Sequence, residues 1–191
     1  MALLTRYAVP VRRHVCWTVF AATTAGLFLV TAALAQLAGD GKSDYSEYDI
    51  KAAYLVNFAK YVAWPASAFP EEDSPFTIGI LGDNPFGDTL AGLARDQEVN
   101  GRRMVIAQSD DLETMASCHI LFTSGTPDLT ALAASPILTV GEQKGFTEIG
   151  GIVNFVIVET KVRFEISVKA ARQHNLKVSS RLLKLATKVH Q

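Results

Sequence analysis

Four short apolar runs, each of strand length, constrain the fold of this chain more than any other feature of its sequence. They are Phe76 to Leu81, Met104 to Ala107, Cys118 to Thr123 and Pro136 to Val140. Nearly continuous hydrophobicity over so few residues is typical of strands covered on both faces, as in a parallel sheet. Helical candidates with turn signals lie between these runs. The pattern therefore predicts a layered α/β fold of the βαβ type.

The first predicted helix runs from Ser46, whose hydroxyl suits an N-cap, to about Tyr61. Trp64-Pro65 ends it, because the residue before a proline is disfavoured in the α region. Its apolar stripe consists of Tyr54, Leu55, Phe58 and Val62.

Two further helix starts are predicted after strands. Asp83 or Asn84 is a candidate cap with Pro85 in the first turn, and Thr126-Pro127 has the same character.

The segment after residue 150 has a different pattern. Ile152 to Val158 and Val162 to Ser167 predict an antiparallel hairpin, and the second strand alternates apolar with polar residues. One wet face and several charges favour a position at an edge of the sheet. Two helical pieces, Val168 to Gln173 and Ser180 to Val189, end the chain.

The N-terminal residues predict export. Arg6, Arg12 and Arg13 precede an uncharged apolar stretch from Cys16 to Leu34, which closes with the small-x-small site Ala33-Leu34-Ala35. We therefore expect a cleavable signal peptide over residues 1–35, a flexible lead-in over 36–45 and one α/β domain over 46–191. The alternative is a retained membrane anchor, because the apolar run approaches the roughly 20 residues that span a bilayer.

Charge and cysteine usage exclude other classes. A net charge of −1 and the lack of a basic cluster argue against a nucleic-acid partner. Cys118 is the one cysteine outside the predicted signal, so an internal disulfide is excluded after processing. Its apolar neighbours favour an inert core thiol over a redox role.

The search for catalytic chemistry finds little. His119 and His174 have no metal-ligand spacing, and the chain contains neither a Gly-x-Ser-x-Gly elbow nor a phosphate-binding loop of the Walker type. The sequence thus predicts no catalytic residue, no metal and no cofactor.

Two groups of polar side chains are candidate binding sites. Asp83 and Asn84 follow one strand, and Ser124 and Thr126 follow another, so they border one cleft if the two strands are parallel neighbours. The alternative is a pair of ordinary capped turns. The second group is expected at the surface, where it would bind a ligand or partner: Trp64, Pro65, Arg163, Arg172, His174 and Leu176. Several of these residues also have a structural alternative. Trp64 would fill the core at the end of the helix, and Arg163 would protect the sheet edge from unwanted pairing. Arg172 to His174 would form a solvated helix end.

Several ordered motifs resemble the YfiR-like family of periplasmic regulators (YfiR/HmsC type). They span residues 48 to 187 and are Lys51 to Tyr61 followed by Trp64-Pro65, Leu81 to Gly87, Asn100-Gly101-Arg102, Cys118 to Phe122, Gly150 to Phe155, Arg163 to Ile166, and Leu176 to Ala186.

The resemblance implies a Rossmann-like α/β domain. Together with the strand pattern, it predicts a three-layer sandwich with a mixed sheet of about six strands and an antiparallel edge hairpin. It also implies a homodimer that works in the periplasm without catalysis. Such a protein contacts the periplasmic sensor domain of an inner-membrane diguanylate cyclase and represses it, which lowers cyclic-di-GMP and limits biofilm formation. Relatives are expected to serve other membrane receptors as well, such as histidine kinases.

Three functions remain open from the sequence. The first is the regulator of an inner-membrane receptor, which shifts that receptor's conformational equilibrium by binding one state more tightly. The second is a small-molecule sensor module for a histidine kinase or other receptor, with Asp83, Asn84, Ser124 and Thr126 lining its cleft. The third, an enzyme, would require His119, Ser124 and a carboxylate to converge.

Overall fold

A computed structural model describes residues 45–133 and 135–191. The predicted signal peptide and nearly all of the predicted lead-in lie outside these residues. The helices are α1 (Glu47–Tyr61), α2 (Thr89–Ala94), α3 (Val168–Gln173) and α4 (Ser180–Leu185), with short 3-10 turns at Ala66–Ala68, Thr114–Ser117 and Leu129–Leu132. The strands are β1 (Val62–Ala63), β2 (Phe76–Leu81), β3 (Glu98–Val99), β4 (Arg102–Ser109), β5 (Ile120–Thr123), β6 (Leu138–Gly141), β7 (Val153–Val158), β8 (Lys161–Ser167), β9 (Lys177–Val178) and β10 (Lys188–His190).

The main sheet has eight strands in the order β10-β8-β7-β6-β5-β2-β4-β3, and β1 pairs with β9 separately. Strands β4, β2, β5, β6 and β7 are mutually parallel, and β7 and β8 form an antiparallel hairpin. The mixed α/β class is confirmed. The expectation of about six strands is too low, because the two short edge strands β3 and β10 were not foreseen. The Rossmann-like arrangement stays a prediction.

Helix α1 begins and packs as the sequence pattern indicates. The Ser46 hydroxyl accepts a hydrogen bond from the Asp49 N–H at 3.1 Å, and the Asp49 carboxylate accepts one from the Ser46 N–H at 2.8 Å. Phe58 is fully buried, and its ring lies 5.2 Å from Phe164 and 6.0 Å from Phe155. The buried face of α1 is thereby fixed on the hairpin.

The hairpin is correct, but its predicted place at the sheet edge is wrong. Strand β10 pairs in parallel with β8, so the last residues of the chain form the edge. The predicted helix from Ser180 to Val189 ends at Leu185, and the Thr187 N–H and hydroxyl both donate to the Phe164 carbonyl. Thr187 and Val189 are β-branched, which favours the extended conformation that follows α4.

Both predicted helix starts after strands are also wrong in position. The Asn84 side chain accepts a hydrogen bond from the Phe86 N–H and donates one to the Gly87 carbonyl, so it closes a turn, and α2 begins at Thr89. Gly87 has a φ of 53°, which a helix could not include. The segment after Thr126-Pro127 forms only a 3-10 turn, with Asp128 as its cap.

His119 joins the loop after α1 to the centre of the sheet. Its Nδ1 accepts a hydrogen bond from the Thr77 N–H at 3.0 Å, and its Nε2 donates to the Ala68 carbonyl at 3.1 Å. The ring is stacked between Phe69 and Phe76, with centroids 4.4 and 4.8 Å away. Burial lowers the pKa of His119 below its ordinary value. The neutral ring with a proton on Nε2 is therefore the form that fits this structure.

We predict that His119 makes the stability of the protein pH-dependent. Because the folded pKa is depressed, the unfolded chain binds the proton first as the pH falls through about 6.5, and folding weakens below that value. His119→Asn keeps an acceptor for the Thr77 N–H but cannot titrate. We expect a loss of about 1–3 kcal/mol at pH 7.5 and a shallower decline between about pH 7 and 5.5. Denaturant unfolding across this range measures both effects. His190→Gln is the control, and an undiminished pH dependence in His119→Asn would contradict the assignment.

Candidate functional site

A polar cleft of about 520 Å³ lies beyond the carboxyl end of β6. The N-terminal half of α1 forms one side, the segment after β6 forms a second, and β7 with its neighbours forms a third. Open α/β sheets commonly bind ligands beyond the carboxyl ends of their parallel strands. The lining residues are Glu47, Tyr48, Lys51, Glu142, Gln143, Lys144, Gly145, Thr147, Glu148, Asn154, Phe155, Val156, Ile157, Glu165 and Lys188.

Lys51 is the central charged group of the cleft wall, and only 3% of its surface is exposed. Its Nζ lies 2.6 Å from Glu142 Oε2 and 2.5 Å from Glu47 Oε1, while the Tyr48 hydroxyl donates to Glu142 Oε1 at 3.2 Å. Burial by itself lowers the pKa of Lys51, but the hydrogen bonds and charges of Glu142 and Glu47 outweigh it, so the net pKa is raised. Lys51 is therefore held in its charged form by two carboxylates.

The pKa of the Tyr48 hydroxyl is also shifted by burial and by the neighbouring carboxylates. Burial and the negative charge of Glu142 raise the pKa of its hydroxyl, so the phenol stays protonated and donates to that carboxylate. These side chains therefore satisfy one another in a closed ion-paired network, which consists of Glu47, Tyr48, Lys51 and Glu142.

A polar row crosses three strands at the other side of the cleft. Asn154 on β7 is the register partner of Glu165 on β8, which is in turn the partner of Lys188 on β10. Asn154 is buried, and no donor among the described residues reaches its Oδ1. Glu165 Oε2 lies 3.1 Å from His190 Nε2. Burying an amide oxygen without a hydrogen bond costs free energy.

The residues that we expected at the surface differ in how far the structure exposes them. Arg163 and Arg172 are exposed on β8 and α3. Trp64 and Pro65 are half-buried, with the Trp64 ring 4.9 Å from Phe76 and its Nε1 donating to the His119 carbonyl.

The surface placement expected for His174 and Leu176 is wrong. His174 is 7% exposed and its Nδ1 donates to the Ser135 carbonyl at 2.7 Å, while Leu176 is 2% exposed. The chain turns back after α3 at Asn175, whose φ is 56°, and this turn directs both neighbours inward. Leu176 and Arg172 nevertheless share the lining of a hollow of about 240 Å³.

The four residues of the predicted cleft lie at neighbouring loops. Strands β2 and β5 are parallel and adjacent, so the loops that contain Asp83 and Ser124 do border the same sheet edge. Asp83, Asn84 and Thr126 are exposed and Ser124 is half-buried, and none of the four lines the polar cleft beside β6. The two places are connected, because the Gln143 amide donates to the Ser124 carbonyl at 2.6 Å.

The sequence patterns missed the residues that line the polar cleft. Glu47 and Lys51 are four residues apart on one helix, a spacing that is recognisable as an ion pair from sequence. Asn154 interrupts an apolar strand, which is also a visible signal. Glu142 gives no such signal, because its role depends on a contact 91 residues away along the chain.

Other chemistry in the described residues is limited. Within residues 45–133 and 135–191, no cluster of three or more His, Cys, Asp or Glu side chains has a metal-binding arrangement. In the same residues no helix has the length and hydropathy needed to span a bilayer. Cys118 is buried beside Gly79, and burial raises the pKa of its thiol to about 12.

These features define a mixed α/β protein with a polar, ion-paired cleft. The sequence model of the YfiR/HmsC-like family matches residues 48–187, and the chain therefore belongs to that family, as its motifs indicated. Members of this family are periplasmic, non-catalytic regulators of the cyclic-di-GMP signalling type that act with membrane signalling proteins. No curated protein matches the chain.

We predict that the Lys51–Glu142 pair stabilises the fold. In Glu142→Gln the buried ammonium of Lys51 keeps only Glu47 as a charged partner, so we expect a loss of about 1–3 kcal/mol in the free energy of unfolding. Glu47→Gln is the matched control, since this exposed partner on the same helix should contribute no more than about 0.5 kcal/mol. Urea unfolding of both variants at pH 7.5 measures the difference, and equal losses would contradict the distinct role of Glu142.

Proposed function

We propose that this protein is a non-enzymatic periplasmic regulator that represses an inner-membrane diguanylate cyclase. It binds the cyclase's periplasmic sensor domain and lowers cellular cyclic-di-GMP, which limits biofilm formation. The observation that carries this proposal is the family match over residues 48–187. Export by a signal peptide over residues 1–35 and assembly as a homodimer belong to the same proposal.

The geometry of His119 and His174 agrees with a regulator. Both ring nitrogens of His119 are occupied by backbone groups, and the His174 ring is buried against the Ser135 carbonyl. Neither imidazole is positioned to exchange protons with a substrate, which general acid–base catalysis requires. A binding function needs no such group, because a regulator acts through its different affinities for two receptor states.

Receptor contact is proposed at Arg172 and Arg163. Arg172 is exposed at the rim of the hollow that Leu176 and Ala171 line, so a cation stands beside an apolar depression. Arginine at the border of an apolar pocket is a frequent hot spot of protein interfaces. Arg163 is exposed on the face of β8 that also carries Glu165. The half-buried residues Trp64 and Pro65 belong to the same proposed contact. His174 and Leu176 are buried, so their proposed role is to hold the surface residues of the contact in place.

A small-molecule sensor module for a membrane histidine kinase or other receptor is the second candidate function. The parallel pairing of β2 with β5 favours it, because the Asp83-Asn84 and Ser124–Thr126 loops reach the same sheet edge. In that case these four polar residues would bind the ligand.

Deletion of the gene tests the proposed function, and we expect cyclic-di-GMP to rise in its absence. The unaltered protein and Arg95→Glu, an exposed control at the end of α2, should restore the low level. Arg172→Glu combined with Arg163→Glu should not, because loss of interface arginines costs about 2 kcal/mol or more, about thirtyfold in affinity. Folding of each variant is checked by thermal unfolding. Unchanged cyclic-di-GMP after deletion, with no membrane protein recovered by the tagged full chain, would refute the proposal.

A further inference from the structure

Residues 64–69 follow β1 directly, and we call them the 64–69 segment. Every residue of the segment is half-buried or exposed. Two hydrogen bonds join it to the rest of the described chain, and both end on His119. Trp64 Nε1 donates to the His119 carbonyl at 3.2 Å, and the Ala68 carbonyl accepts from His119 Nε2 at 3.1 Å. A segment with so few hydrogen bonds to its surroundings opens more readily than the sheet on which it lies.

The His119 ring contacts the segment and the sheet at the same time. It is stacked between Phe69 of the segment and Phe76 of β2, and its Nδ1 accepts a hydrogen bond from the Thr77 N–H at 3.0 Å. This nitrogen accepts only while the ring is neutral, because both ring nitrogens of a protonated histidine are donors. Thr77 is itself held in the sheet by its pairing with Val105 of β4. Protonation therefore sets two N–H groups against each other, and the ring has to move.

The groups that face the ring do not compensate a positive charge. The segment and β2 present uncharged groups to it. The cation beside the stack is Arg102 of β4, whose guanidinium carbon lies 4.1 Å from the centre of the Phe69 ring. The neighbouring Cys118 thiol is neutral, since burial raises its pKa to about 12. No carboxylate of the described residues forms an ion pair with His119. Burial and then the charge of Arg102 lower the pKa of His119.

The lowered pKa of His119 couples the segment to pH. Release of the segment would expose the ring to water and return its pKa to about 6.5. The released form would then bind a proton more tightly than the closed form does. As the pH falls below about 6.5, the ratio of released to closed molecules should rise by up to about tenfold per pH unit, until the pKa of the closed form is reached. Acid thus favours release, and neutral pH favours closure.

We propose that His119 is the trigger of a pH-sensitive switch, in which its protonation releases the 64–69 segment while the rest of the fold is kept. The switch goes beyond the proposed function and requires no receptor. Its consequence for signalling does rest on that function, because Trp64 and Pro65 belong to the proposed receptor contact. Acid would then alter the surface that the receptor binds.

Trp64 is the probe for this switch. The chain has two tryptophans, so Trp17→Phe in the full chain leaves Trp64 as the one emitter. Between about pH 7.5 and 5 we expect its emission to move to longer wavelength and its quenching by acrylamide to rise about twofold or more. Far-UV circular dichroism should stay unchanged over the same range. Unchanged emission, or loss of the dichroism together with the emission change, would overturn the switch.

Substitution of His119 tests whether this residue is the trigger. His119→Asn in the same background keeps an acceptor for the Thr77 N–H but cannot titrate, so the emission change should be absent. His190→Gln is the matched control and should retain it. An emission change of equal size and midpoint in His119→Asn would overturn the assignment of the trigger.

Amide hydrogen exchange tests the switch in the unaltered chain. After correction for the intrinsic pH dependence of exchange, the Thr77 amide should lose protection about tenfold between about pH 7 and 5.5. The amides of residues 78–81 in the same strand should keep theirs. Equal loss along the whole strand, or no loss at Thr77, would overturn the switch and leave the receptor proposal intact. Failure to find a receptor would likewise leave the switch intact.

Discussion

The packing of α1 across the β7–β8 hairpin is the contact on which the rest of the structure depends. Tyr54 and Phe58 lie against Phe155 and Phe164, with ring centroids between 5.2 and 6.0 Å apart. Aromatic pairs of this kind combine a large buried area with a defined relative orientation. The helix that they fix has its N-terminal turns beside the segment that follows β6, so Lys51 reaches Glu142. The polar cleft is thus a consequence of where the apolar half of α1 is held.

Elements determined by local chemistry were predictable, and those determined by distant contacts were not. The Ser46 cap, the apolar strand Phe76–Leu81 and the alternation in β8 are visible in the sequence, and the structure has all three. The end of the chain is different, because apolar residues at helical spacing continue beyond α4 to Val189. What ends the helix is the pairing of residues 188–190 with β8, which depends on a strand more than twenty residues earlier. Short apolar stretches near a sheet edge are compatible with either structure until their neighbour is known.

The candidate site shows the same division. A single helix supplies Glu47 and Lys51, whereas Glu142 and Asn154 join them only through the sheet. His174 and Leu176 lie in a polar segment that is typical of an exposed turn, yet both are buried. The chain reverses at Asn175, and the His174 ring donates a hydrogen bond to the distant Ser135 carbonyl. Charge and polarity in a loop indicate which side chains can bind something. Which of them face solvent is determined by the elements that pack on the loop.

The environment of Cys118 has a practical consequence for labelling. Its thiol is buried, and a pKa of about 12 leaves almost no thiolate at neutral pH, which is the form that maleimides attack. It is the single cysteine of the described residues. A cysteine introduced at an exposed position should therefore be modified selectively under native conditions without removal of the natural one. Gly79 is a reason to keep Cys118 in place, since an added Cβ at that glycine would already meet the Cys118 sulfur at 3.0 Å and a bulkier residue at 118 would have no room.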